Sequence, residues 1–77
     1  MFNILDTVVL TRDIPESGLR RGDLGAIVEV HGANTFEVEF VAASGRTQAL
    51  VTLTDHDIRH VGDEDLVSVR PLQRAAG

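Results

Sequence analysis

The chain contains no cysteine, no lysine, no tryptophan and no tyrosine. Without cysteine there is no disulfide framework, no thiol nucleophile and no cysteine-ligated zinc cluster. Without lysine there is no Schiff-base chemistry and no phosphate-gripping P-loop. All seven basic residues are arginines. Grooves for proline-rich peptides and cages for methylated lysine are lined by Trp and Tyr, and three phenylalanines do not furnish both a core and a cage. Long apolar runs are missing too. None approaches the roughly 20 residues that a helix needs to cross a bilayer. The opening MFNILDTVVLTRD has no basic start of the kind a secretory signal carries. The expectation is a cytoplasmic, bacterial-type protein that makes no membrane contact.

What is present suffices for one small domain. The chain has 77 residues, of which 43% are hydrophobic, too many for a disordered acidic tail. Twelve acids against seven arginines give a net charge of −5. Nucleic-acid binding draws most of its affinity from cationic contacts to phosphates. An acidic chain with scattered arginines repels phosphate and suits a basic protein partner instead.

Three runs rich in β-branched and aromatic residues fill residues 22–54, separated by two short turn-rich breaks. This is the pattern of consecutive antiparallel hairpins. A first strand is expected at 5–11, with Leu5 and Val9 competing against Val8 and Leu10 for the inward face. A long loop follows at 12–23, turning at Pro15 to Gly18, with Leu19 and Ile14 plugging the core. The second strand is expected at 24–31, with Ala26, Val28 and Val30 alternating against Ile27, Glu29 and His31. Gly25 marks a bulge or bend. The third strand, 35–42, alternates most cleanly: Phe36, Val38 and Phe40 inward, Glu37 and Glu39 outward. A fourth at 46–54 buries Ala49, Val51 and Leu53. Asp55 then caps a single 3₁₀ turn within 55–61 that drops Ile58 into the core. The last β-like run, 66–69, precedes a frayed PLQRAAG end. It either closes the chain's own barrel, the first expectation, or pairs with a second copy or a partner strand.

The resulting fold class is all-β: a small SH3-like barrel of about five antiparallel strands with one 3₁₀ turn. Residues 1–61 make the barrel and 62–77 a C-terminal extension. In addition, Val8-Val9-Leu10, Asp13-Ile14-Pro15-Glu16, Gly22-Asp23-Leu24-Gly25, Val28-Glu29-Val30, Glu37-Val38-Glu39-Phe40 and Thr52-Leu53 together resemble an uncharacterised bacterial domain-of-unknown-function family of short SH3-like barrels. The resemblance covers about residues 5–61. It implies the fold and carries no assigned activity or catalytic residue. The stretch from Gly22 to Val28 also looks like the KOW motif of ribosomal and transcription-elongation proteins, as a shared tight entry into a barrel strand.

No constellation reads as an enzyme site. His56 and His60, four apart beside Asp55 and Asp57, would share a face if helical, with His31 as a distant third ligand. A metal site needs three convergent ligands, and a single turn holds two at most. The reading is no metal and no cofactor. Glu29, Glu37 and Glu39 belong to a solvated sheet face rather than an acid–base pair. The working surface expected is the long loop, with Arg12, Glu16, Arg20 and Arg21 as candidate partner residues. Nearby acids, Asp13, Glu16 and Asp23, are placed to neutralise these arginines. The functional expectation is a non-enzymatic protein-binding or regulatory module, accessory or antitoxin-like, monomeric or a weak homodimer. A KOW-like nucleic-acid-binding domain is the second reading.

Overall fold

A computed structural model describes residues 1–72. Five strands follow in order: β1 (Thr7–Leu10), β2 (Leu24–His31), β3 (Thr35–Val41), β4 (Thr47–Thr54) and β5 (Ile58–His60). They form one antiparallel sheet in the order β4-β3-β2-β1-β5. Leu53 of β4 and Ile58 of β5 stand at opposite ends of that order, yet both belong to one buried cluster with Val8, Leu10, Ile27, Phe36, Val38 and Phe40. The sheet therefore curls around its own apolar face into a barrel-like shape. Each of these side chains contributes about 1.5–3 kcal/mol by leaving water.

The loop between β1 and β2 closes one end of the core. Ile14 and Leu19 are 2% and 3% exposed and exchange both backbone hydrogen bonds. The residues between them make a 3₁₀ turn, Pro15–Ser17, which Gly18 ends in the left-handed region at φ 69°. Proline presets φ for the first position, and glycine takes the positive φ without a Cβ clash.

Several local expectations change in three dimensions. The 3₁₀ turn lies at Pro15–Ser17 and not within 55–61. There the chain makes a short turn in which Asp57 Oδ2 accepts from Thr54 N (2.9 Å) and Thr54 Oγ1 (3.1 Å). Residues 58–60 then pair with β1, where they satisfy backbone groups at an otherwise bare edge. Residues 66–69 join no ladder and are not a strand. The expected frayed end reaches 73–77, which lie outside the described residues. β1 begins at Thr7, since Leu5 is 77% exposed with φ 75° and cannot continue a strand.

In β2 the expected strict alternation fails at a bulge between Ile27 and Glu29. Ile27 sits opposite Val38, and Val30 opposite Phe36, so an odd and an even residue share the inner face. Val28 is the extra residue. Gly25 lies three residues earlier and serves a different purpose. A Cβ there would stand 2.7 Å from Val38 Cγ1 and 2.8 Å from Phe40 Cε2, so only glycine lets β2 approach β3 this closely. In β1, Val8 and Leu10 point into the core. Val9 points outward, yet is only 5% exposed.

Candidate functional site

On the outer face, residues 62–72 run alongside Val9 as a strap, and both line one groove. Two arginine–aspartate pairs hold the strap. At its start, Arg59 of β5 grips Asp65 with both terminal nitrogens, Nη1 to Oδ2 at 2.7 Å and Nη2 to Oδ1 at 3.0 Å. Gly62 N also donates to Asp65 Oδ2 at 2.6 Å. The Arg59 guanidinium and that amide hold the Asp65 carboxyl down at about 2. At its end, Arg70 Nε and Nη2 grip Asp23 at 2.9 and 2.6 Å, and Nη2 also donates to Gly18 O at 3.0 Å.

Asp23 sits at the join of the loop and β2. Its Oδ2 also accepts from Arg20 N at 2.8 Å, and its own N donates to Arg20 O, which closes the turn before β2. Burial works to raise the Asp23 pKa. The bonds from Arg70 and from the Arg20 amide outweigh it and hold the carboxyl below its ordinary value. The guanidinium is correspondingly pushed up by Asp23. Charge-assisted, bidentate pairs of this kind are the strong ones.

Between strap and sheet runs an open groove of about 700 Å³. Its floor follows one transverse row of the sheet, Arg59–Val9–Leu24, which are cross-strand partners, and continues to Val41. The strap supplies the wall. Leu66, Val67 and Val69 stand 95%, 72% and 97% exposed between the two ionic anchors. Seven of the thirteen large apolar residues exposed among the described residues line this groove: Leu24, Val41, Val61, Leu66, Val67, Val69 and Leu72. Isolated exposed apolar side chains are ordinary on a protein surface, whereas a contiguous patch marks an interaction surface.

The four loop residues read from the sequence do not gather in one place. Arg12 Nε bonds Asp57 Oδ1 at 2.8 Å and ties the loop to the β4–β5 turn. Asp57 is held below its ordinary pKa: burial opposes this, but the Thr54 backbone and Arg12 prevail. Glu16 is exposed in the 3₁₀ turn and adds to the field that favours the Arg12 cation. Arg20 and Arg21 donate their backbone amides to Asp23 Oδ2 and to Asp13 Oδ1. Only Arg21 of the four lines the groove. Asp13 thus acts on the loop's backbone and Asp23 on both the backbone and Arg70, while the ion pairs Arg12–Asp57 and Arg70–Asp23 join residues 45 and 47 apart. Sequence reading missed Asp23, Asp65 and Arg70 as anchors. The one local hint was an apolar run, 66–69, bounded by acids on one side and an arginine on the other.

The histidines have separate neighbours. His31 Nε2 lies 3.4 Å from Glu37 and 3.9 Å from Glu29. His56, beside Asp55 at 3.7 Å, is 92% exposed. His60 stacks on Phe2 with ring centroids 4.4 Å apart, and its Nε2 lies 3.3 Å from Asp6. Phe2 in turn meets Phe36 edge-on at 5.3 Å, so this stack fastens the N-terminal segment over the core. Among the described residues no three metal-ligating side chains converge. Glu37 and Glu39 accept from Thr52 and Thr47 at 2.9 and 2.6 Å on the outer face of the β3–β4 ladder.

No curated protein and no solved structure matches this chain. The family described as "Domain of unknown function (DUF4926)" matches residues 4–60, which take in all five strands and end before the strap. The chain belongs to that family.

Proposed function

We propose that this protein is a non-enzymatic binding module whose partner is another protein, held in the groove between the strap and the outer face of the sheet. The observation that carries this reading is the clustering of exposed apolar side chains around one groove, with Leu66, Val67 and Val69 turned to solvent. The lining has the anatomy of a protein interface, with an apolar centre and a polar rim of Arg21, Asp23, Arg59 and Asp65. The net charge of −5 favours a basic partner through long-range attraction. An accessory or antitoxin-like role, in which a small acidic domain neutralises a basic protein, fits these properties by analogy alone.

Affinity capture from the native host tests it. The wild-type chain is expected to retain a stoichiometric protein that a Leu66→Asp, Val69→Asp variant loses. Both positions are so exposed that folding stability changes by no more than about 0.5 kcal/mol. Failure of the wild type to retain any stoichiometric protein, or equal retention by the variant, refutes the reading. Nucleic-acid binding through the KOW-like turn at Gly22 is the competing reading. It requires a gel shift with tens of micromolar protein at about 50 mM salt that fades steeply as salt rises.

A further inference from the structure

The sheet has two edges, and they are treated differently. β5 is three residues long, whereas β4 is eight and pairs only with β3. Natural proteins blunt a long edge with lysine, proline, an inward charge or a covering segment. β4 reads TQALVTLT, without a charge or a proline, in a chain of which 25% is charged. A bulge sits near its start. Phe40 faces Ala49 and Val41 faces Thr47, which leaves Gln48 unmatched, and its side chain turns away to bond Ser17 O at 3.3 Å. From Ala49 to Thr54 the register is regular. Within this stretch the following turn engages Thr54 on both sides: its O accepts from Asp57 N, and its N donates to Asp57 Oδ2. Between Ala49 and Leu53, alternate N–H and C=O groups face away from β3, on the side where β4 has no partner strand. Leu50, on the outer face, is 58% exposed.

We propose that this edge is a self-association surface: β4 pairs antiparallel with β4 of a second copy across a two-fold axis, joining the two sheets edge to edge. Two features choose a second copy over a foreign strand. First, the strand is bounded by Arg46 on one side and Asp55 on the other. Antiparallel pairing brings each arginine near the other copy's aspartate at both ends, whereas parallel pairing sets like against like. Second, the same bare edge is satisfied on both copies at once, as an isologous contact requires. A register centred on Val51 sets Leu50 opposite Thr52 and Ala49 opposite Leu53. It keeps inner residues against inner and outer against outer, and leaves the bulged Gln48 outside the regular ladder. A contact of about six residues per strand falls short of the ~800 Å² per partner of a standard interface, so the dimer is weak, with Kd in the range ~10 μM to ~1 mM. The surface is distinct from the groove and does not depend on it.

Sedimentation equilibrium of the full chain from ~10 μM to ~1 mM tests this. The mass is expected to rise from one copy to two. Leu50→Asp puts one carboxylate on each facing β4, diagonal to the other across the two-fold axis on the outer face, and is expected to raise Kd about tenfold or more, since like charges on facing strands repel. Arg46→Glu and Asp55→Arg are each expected to weaken association, and the two together to restore it. This pair decides the matter even if Leu50→Asp disturbs folding. Leu66→Asp with Val69→Asp is expected to leave the mass unchanged. A single-copy mass throughout overturns the proposal. So does a double reversal that fails to restore association, or a dimer lost through the strap substitutions while Leu50→Asp leaves it whole.

Discussion

The pairing of Arg70 with Asp23 makes the sharpest forecast about this fold. Its side chains are 25% and 18% exposed, which is more enclosed than an ordinary surface ion pair. Exposed pairs are worth ~0–1 kcal/mol, and breaking a buried one costs ~3–5 kcal/mol. An intermediate, bidentate pair with a further bond to Gly18 O is expected to couple the strap to the barrel by about 1–2 kcal/mol. Arg70→Ala removes that coupling. For a domain of this size each 1 kcal/mol moves Tm by about 4–8 °C, so a fall of about 4–16 °C is expected. Asp23→Ala removes the same pair and also the acceptor for Arg20 N, so it costs about 0.5–1.5 kcal/mol more. The double variant should be little worse than Asp23→Ala alone, because Arg70 acts on the barrel chiefly through Asp23. Far-UV circular dichroism under heat or urea is the suitable probe, since the chain has no tryptophan or tyrosine to report by fluorescence. If the two single effects add to within ~0.3 kcal/mol, the residues act independently and the strap is not latched.

Acid should release the strap before it dissolves the sheet. Asp65 and Asp23 are both held below their ordinary pKa, Asp65 at about 2 against 3.8. A depressed carboxyl contributes stability that is complete above its unfolded value and is lost as pH falls through its folded one. Hydrogen exchange should therefore show the Val9 region opening between about pH 4 and pH 2, while β3 stays protected. Gly25→Ala drives a methyl into Val38 and Phe40 and should destabilise by about 1–3 kcal/mol in urea titration. Leu5→Gly should do the reverse. Leu5 is exposed and holds φ 75°, so the change should raise stability by about 0.5–1 kcal/mol, read as a higher urea midpoint.

Much of the fold was legible because it is written in local patterns. A period-2 alternation puts Phe36, Val38 and Phe40 on one face whatever they pack against, and the bounds of β2 follow from its glycine-rich flanks. Leu19 and Ile14 read as plugs because they are the only large apolar residues in a polar loop, and both are buried. Other features exist only once strands have found each other. The bulge at Val28 is a matter of register between β2 and β3, so strict alternation in one dimension set Ile27 and Val30 on opposite faces. The Gly25 contact needs the neighbouring strand's Val38 and Phe40 to be in place.

The candidate site divides along the same line. Composition alone set the net charge and the lack of thiol and amine chemistry, because these are sums over residues and do not depend on arrangement. The arginines of the loop were visible as charges, but which acid each would meet was not. Arg12 finds Asp57 across 45 residues and Arg70 finds Asp23 across 47, and neither distance leaves a trace in local spacing. The run at 66–69 carried every mark of a strand, since β propensity describes a side chain's fit to a pleated surface and says nothing of whether an edge is free. That depended on tertiary structure: β5 pairs with β1, and the run at 66–69 joins no ladder but lines a groove with Val9.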